Sequence, residues 1–450
     1  MNNTPKHTCS AREAAYISLV RISAEKRYSN LELDAAIKKY ALDGAEKKLY
    51  TILVYGTIER QITLDFVIDG LLDDRNKGIN DNLRVLLRMG AYQLLYTDRI
   101  PDSAAVNESV ELCKKSVKLG IKPSIAGASG LVNAILRGII RQKRSMTADE
   151  YVTSLLEGRG IVGTAAMSVR YSVNEALIKL WCGGYGEAKT EAILASPRHN
   201  YTALRVNTLR HTPAELCAML NEKCENSAEL SPLSDVGIRY TGSAEVMLEA
   251  IECGDLFVED ESSQLTSCAL MAKPGHKVLD CCSAPGGKTF SIGLYMENTG
   301  SILSRDLHAN KLKAVDKGAK RLGLTIVTTE EADAGVYNEA LDDSFDRILC
   351  DVPCSGSGVI LKKPELRFKE PSDYAKLPDL QYRILETAAN YLRPGGRLVY
   401  STCTLNPAEN EDVLERFAAN HKGYTVESMR TFFPDSDGTD GFFCGVVTLD

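Results

Sequence analysis

The chain predicts a multidomain protein: an all-α helical N-terminal bundle, a small α+β linker domain and a C-terminal α/β domain with a doubly wound, largely parallel sheet. Three observations carry that prediction. The first 145 residues repeat apolar positions at helical spacing and show no strand alternation. From Lys277 onward, short strand-like runs alternate with helical ones. Between these stretches, short strand candidates mix with one strongly signalled helix. A length of 450 residues admits about three domains. The predicted limits are 1–145, 146–260 and 261–450.

In the first block, Ser10-Ala11-Arg12-Glu13 has capping-box form ahead of Ala14, Ala15, Ile17 and Leu19. Leu49 to Leu72 reads as one long helical segment. Leu83–Leu95, Ala104–Val117 and Ala126–Ile140 add further helices, punctuated by Pro101 and Gly120. The default packing is a helical bundle. A linker of small and polar residues is expected from Ser145 to about Glu157, with helical pattern resuming near Asn174–Trp181 and Glu187–Leu194.

Tyr201–Val206 is strand-like. Thr212-Pro213-Ala214-Glu215 combines an N-cap, a proline at the first helical position and a glutamate at the third. Gly237–Thr241 and Leu256–Glu259 complete a small α+β unit. In the last block, strands are expected at Val278–Cys281, Gly300–Arg305, Leu324–Thr328, Phe345–Asp351 and Gly396–Cys403. Helices are expected at Gly287–Tyr295, Ala309–Leu322, Pro378–Leu392 and Ala408–Ala419. The tail, Gly441–Leu449, is expected to pair antiparallel at the sheet edge.

Composition narrows the function classes. Apolar content of 44% and charged content of 25% are globular values. No apolar run approaches the ~20 residues of a membrane helix, so no membrane partner is expected. Met1–His7 leads into no export-signal core. The thirteen cysteines are therefore expected as reduced thiols in a cytoplasmic protein. The net charge of −7 hides an asymmetry. Residues 1–145 carry 23 Lys and Arg against 16 Asp and Glu, whereas the remainder carries 30 against 44. Lys114, Lys115, Lys118, Lys122, Arg137, Arg141, Lys143 and Arg144 cluster late in the basic block, where they would attract phosphates with little sequence discrimination. On charge alone, a solvated basic surface without a partner is an equal reading.

The chemistry concentrates in three phrases. Cys282-Ser283-Ala284-Pro285-Gly286-Gly287-Lys288-Thr289 follows a strand and opens a helix. Glycine there admits backbone amides to a ligand, and the helix N-terminus favours negative charge. A phosphate-binding P-loop would need glycine at position 282, which is cysteine. A nucleoside cofactor without phosphates fits better. Asp306, at the end of the second strand, suits a ribose diol, and Asp333, after the third, suits an adenine amino group. The other phrases are Asp351-Val352-Pro353-Cys354 and Ser401-Thr402-Cys403-Thr404, each at the end of a strand. A cysteine in apolar surroundings is most often a small buried hydrophobe, which is the reading for Cys182, Cys217, Cys268 and Cys350. Cysteine and histidine spacings complete no tetrahedral metal set, so no metal is expected. Cys354 and Cys403 differ, since both lie past a strand at the edge that also carries the cofactor loop.

These phrases resemble motifs of the Nol/Nop/Sun family of S-adenosylmethionine-dependent RNA cytosine-5 methyltransferases. Arg205-Val206-Asn207, Val258–Ser263, Pro394–Tyr400 and Asp440–Phe443 extend the likeness. The helical block resembles the NusB antitermination factor. The combination resembles Sun/Fmu-type members, which methylate small-subunit ribosomal RNA. Lys311 and Val352 depart from the residues common in the family, at positions that touch no reacting group.

The resemblance implies a Rossmann-like methyltransferase fold with S-adenosylmethionine held by Cys282, Ser283, Ala284, Pro285, Gly286, Gly287, Lys288, Asp306, Asp333 and Asp351. It implies that Cys403 adds to cytosine C6, that Cys354 helps remove the C5 proton and release the product, and that Asp351 holds the base. Lys288 is expected to orient Asp351 or to be a solvated helix-start lysine. A monomer acting on ribosomal RNA is expected. The alternatives are a transfer-RNA cytosine-5 methyltransferase and a non-catalytic, NusB-like RNA-binding factor. An amino-group methyltransferase would carry Asn/Asp-Pro-Pro-Tyr/Phe where this chain has Asp-Val-Pro-Cys.

Overall fold

The computed structural model describes residues 9–25, 29–72 and 78–449. The opening Met1–His7 lies outside them. The chain divides into two compact units: residues 1–183 with 363–370, and residues 184–362 with 371–450.

The first unit is helical. Ser10 and Glu13 form the expected capping box, with Ser10 N–H donating to the Glu13 carboxylate at 3.1 Å and Glu13 N–H to Ser10 Oγ at 3.3 Å. The segment expected as one helix over 49–72 is two, Gly44–Glu59 and Gln61–Asp69. They part at Arg60, whose backbone leaves the helical region and whose guanidinium lies 4.9 Å from the Tyr96 ring centre. Helices Asp81–Tyr96, Asp102–Lys115 and Ser129–Lys143 surround a core that includes Tyr16, Tyr50, Leu86 and Ile139.

The stretch read as a linker is not one. Ala148–Gly158 is a helix, opened by a capping box between Thr147 and Glu150. It buries Tyr151, Val152 and Leu156 in the same core, and Gly163–Tyr171 follows as another helix. Residues 146–183 thus belong to the helical unit rather than to the small α+β unit. A short segment from late in the chain also belongs to it. Arg367 there donates to Tyr171 O at 3.0 Å and to Glu59 at 3.2 Å.

The second unit carries two sheets. The smaller contains β1 (Thr202–Val206), β2 (Ala228–Leu230), β3 (Gly237–Tyr240) and β4 (Leu256–Val258), in the order β2-β3-β1-β4 with antiparallel pairing. The Thr212–Glu215 capping box opens its helix Pro213–Lys223, as the phrase predicts.

The larger sheet contains β5 (Lys277–Asp280), β6 (Ser301–Asp306), β7 (Val327–Glu331), β8 (Phe345–Asp351), β9 (Leu392–Thr402), β10 (Tyr424–Phe432) and β11 (Phe442–Leu449). Their order is β10-β11-β9-β8-β5-β6-β7, parallel from β7 to β9. The chain runs outward from β5 to β6 and β7, then returns to β8 on its other side. That reversal is a topological switch point, where doubly wound sheets open a crevice at the carboxyl ends of their strands. The tail does pair antiparallel, but as β11 between β9 and β10, so it is not the edge. The edge is β10, which is exposed over most of its length and lacks the apolar run that marks a strand in sequence.

Candidate active site

The loop after β5 reaches the helix Gly287–Tyr295 through Gly286, whose φ of +113° is open to glycine at little cost. A Cβ on Gly286 would meet the Phe290 ring at 2.4 Å. The loop borders a cleft of about 230 Å³, lined among others by Glu259, Asp280, Ser283, Gly287, Lys288 and Asp351. Cys282, Ala284 and Pro285 also line it, whereas Gly286 does not. Asp280 accepts from Thr289 Oγ1 at 2.6 Å through one oxygen, and its other oxygen is buried without a partner. Ser283 Oγ and Glu259 Oε1 are likewise buried and unpartnered. Burial, with the Asp351 charge nearby, pushes the Asp280 carboxyl up to about 7. Glu259 is raised as well, chiefly by burial. Three unsatisfied buried oxygens beside one cleft fit a ligand that brings its own donors.

Asp306 ends β6 and accepts from His308 N–H at 3.0 Å. Asp333 is two residues past β7, exposed, and accepts from Gly335 N–H at 2.8 Å. Neither lines the cleft beside the glycine loop, although the Asp306 charge is felt at Cys282. Leu307 and Val336, close to these two aspartates in sequence, are 56% and 62% exposed.

The two cysteine phrases converge. Asp351 and Ser401 are register partners on β8 and β9. Cys354 Sγ and Cys403 Sγ lie 3.2 Å apart, and both residues are half-buried. Asp351 accepts from Ser401 Oγ at 2.8 Å and pairs with Lys288 Nζ at 2.8 Å. Lys288 is therefore ion-paired rather than a solvated helix-start lysine; its side chain is 13% exposed. Its ammonium lies 4.9 Å from the Phe442 ring centre and also interacts with Cys403. The Cys354 thiol is pushed well above its ordinary range, first by its hydrogen bond to Cys403, then by burial and the Cys403 charge, and then by Glu409. The pair can thus hold one proton on Cys354 while Cys403 faces a cation, the arrangement that favours a thiolate.

The loops that carry these thiols are sewn together by glycine. Gly358 N–H donates to Cys403 O at 3.0 Å, and Gly441 N–H donates to Gly358 O at 2.9 Å. A Cβ on Gly358 would lie 1.9 Å from Gly441 O. Gly358→Ala must therefore displace one loop. It is expected to lower turnover at least about tenfold by moving Cys403 out of line, which a steady-state methyl-transfer assay checks.

Sequence reasoning assigned no role to Glu259 or to Asp260 and Asp440, and passed over Asp280, Lys362 and Glu409. Lys362 Nζ pairs with Asp260 at 2.6 Å and with Asp440 at 2.7 Å. Burial and the Asp260 charge raise the Asp440 carboxyl to about 7. Between the unfolded value of about 4 and that folded value, the folded protein binds the extra proton, so Asp440 withdraws stability as pH rises through this window. Removing the Lys362 cation steepens that loss. Lys362→Met is expected to lower the melting temperature more at pH 8 than at pH 5; equal losses would contradict it.

The other cysteines divide. Cys350 is buried, 3.8 Å from Cys281 Sγ. Cys182 and Cys217 are half-buried, and Cys268, expected inside, is exposed on the helix Glu261–Ala269. That helix buries Ser262, Gln264 and Thr266 instead, so its inner face is polar and the apolar-thiol expectation fails.

Residues 267–448 match the 16S rRNA methyltransferase RsmB/F family, and residues 9–141 match the NusB family. A probable ribosomal RNA small subunit methyltransferase B from Bacillus subtilis (strain 168) is 34% identical, covering 96% of this chain and 97% of the relative. A protein of the same description from Synechocystis is 34% identical over 98% of this chain and 96% of its own length. Among solved structures, PH0851 superposes with a TM-score of 0.80 at 25% identity over 99% of both chains. A methyltransferase homolog protein from Pyrococcus horikoshii gives a TM-score of 0.55 at 28% identity, covering 63% of this chain and 98% of its own. With identity at that level over nearly the whole of both chains, this protein belongs to the ribosomal RNA small subunit methyltransferase B family.

Proposed function

We propose that this chain methylates C5 of a cytidine in small-subunit ribosomal RNA, with S-adenosylmethionine as methyl donor and Cys403 as a covalent nucleophile. The observation that carries the reading is the pair of sulfurs 3.2 Å apart beside the Lys288–Asp351 ion pair. S-adenosylmethionine, when bound, supplies an electrophilic methyl group on a sulfonium. The unpartnered oxygens of Asp280, Ser283 and Glu259 and the Cys282–Lys288 loop would hold it in the cleft, with Asp306 and Asp333, outside that lining at and just past the ends of β6 and β7, meeting its nucleoside part.

C5 of cytosine is a weak nucleophile. Attack of Cys403 Sγ on C6 forms a C–S bond and turns the ring into an enamine that is nucleophilic at C5. The Lys288 charge favours the thiolate needed for that attack. Asp351, held by Lys288 and Ser401, meets N3 and the amino group, steadying the protonated ring. Once C5 carries the methyl group, its proton passes to water, the C5–C6 double bond re-forms, and Cys403 Sγ leaves as a thiolate that the Cys354 thiol, 3.2 Å away, stabilises, so Cys354 assists proton loss and release together. The base must leave its stack to reach the thiol, so an unpaired or extruded nucleotide is the substrate.

Within the two units, the parts of the chain divide the work. The helical NusB-like part and the small α+β part grip RNA, and residues from 261 onward carry the chemistry. The place of the reaction is the cytoplasm, and no described helix is long and apolar enough to cross a membrane. Mapping 5-methylcytosine in ribosomal and transfer RNA, with and without this protein, tests the assignment. One ribosomal cytidine is expected to lose its mark; loss confined to transfer RNA would transfer the activity to that substrate.

A further inference from the structure

Glu409 is buried completely, yet among the described residues its carboxylate has no cationic hydrogen-bond partner. One oxygen accepts from Ser355 N–H at 2.8 Å and from Gln381 Nε2 at 3.0 Å. The other accepts from Asn406 Nδ2 at 2.9 Å and from Thr404 Oγ1 at 3.5 Å. Each of these bonds is received, as a carboxylate requires. Ser355 follows Cys354 in the chain, while Asn406 and Glu409 lie in the loop that leaves Cys403. Gln381 reaches the same side by donating to Pro353 O at 2.9 Å. Around this carboxylate, Ser355 and Ser357 hydroxyls both meet Thr404 Oγ1, at 2.6 and 2.8 Å, and Asn410 Nδ2 donates to Thr404 O at 3.0 Å. Hydrogen bonds donated to both oxygens hold a buried carboxylate, and its field reaches farther than that of an exposed one.

We infer that Glu409 is a positioning residue that decides which of the two adjacent thiols ionises. Its charge stands behind the Cys354 loop, while the Lys288 ammonium stands beside Cys403. Opposite fields across one sulfur–sulfur contact keep the shared proton on Cys354 and leave Cys403 as the attacking thiolate. The same hydrogen bonds set the distance between the loops, so charge and spacing have one source. This inference rests on the reading of Cys403 as nucleophile, but its test needs neither RNA nor methyl transfer.

The test is site-resolved alkylation by iodoacetamide, in which the thiolate sulfur bonds to carbon and iodide leaves. Wild-type protein labelled across pH 5–10 and digested for mass spectrometry is expected to label Cys403 at lower pH than Cys354. A common midpoint for the two would overturn the inference even if no variant folds. In Glu409→Gln, Cys354 labelling at neutral pH is expected to rise about tenfold, the change that one pH unit in thiol acidity produces. Glu409→Asp keeps the charge with a shorter reach, and is expected to keep the labelling order while losing turnover. Glu409→Gln protein that labels in the wild-type ratio would contradict the role. A failure of methyl transfer to RNA, with labelling as expected, would instead remove the functional reading and leave the thiol asymmetry standing.

Discussion

Replacing Cys403 by alanine is expected to lower methyl transfer about 10⁴-fold or more while leaving cofactor binding unchanged. The size follows from what the sulfur does. Without addition at C6 the ring offers no enamine, and no neighbouring group replaces the lost nucleophile. Cys354 lies only 3.2 Å away, but it stands on the other strand-end loop with Glu409 behind it, and its sulfur does not occupy the place of the attacking atom. The fold should survive the change. Cys403 is half-buried, and its loop is fixed through backbone bonds such as that from Gly358 N–H. Calorimetric titration with S-adenosylhomocysteine and a parallel turnover assay separate binding from chemistry. Retained turnover would remove Cys403 from the mechanism.

The second large effect is expected for Asp351→Asn. The substitution keeps the shape of the side chain but removes the charge that pairs with Lys288 and would steady the protonated base. Turnover is expected to fall about 10²–10³-fold, the range for loss of one preorganised electrostatic contact. The Lys288 ammonium would then face Cys403 without its carboxylate partner, so iodoacetamide labelling of Cys403 should persist or increase. Loss of turnover with a reactive Cys403 assigns Asp351 to the base. Loss of both would mean that Asp351 acts by holding the loop.

The place of the candidate site was legible where it is written locally. A glycine-rich turn between a strand and a helix, and two cysteines each just past a strand, are short-range signals, and the parallel sheet brings them to one edge. The Thr147–Glu150 capping box was equally local but stood in a polar stretch, so the helix it opens was read as a linker. What stayed hidden is non-local. Lys362 meets Asp260 across 102 positions, and Glu259 meets Ser291 across 32. Glu409 in isolation looks like a surface glutamate near a helix start; only the packing of two loops buries it. Strand β10 failed for the opposite reason, since a mostly exposed strand has no apolar pattern to read.

Trapping the covalent bond between Cys403 and the target base separates addition to the ring from any mechanism without it. Cys354→Ala protein, incubated with unmodified ribosomal RNA and S-adenosylmethionine, is expected to accumulate a protein–RNA adduct stable to denaturation. The adducted peptide should contain Cys403, and Cys354→Ala/Cys403→Ala protein should form none. An adduct that persists without Cys403, or Cys354→Ala protein that turns over at the wild-type rate and accumulates no adduct, would remove Cys403 as the covalent nucleophile.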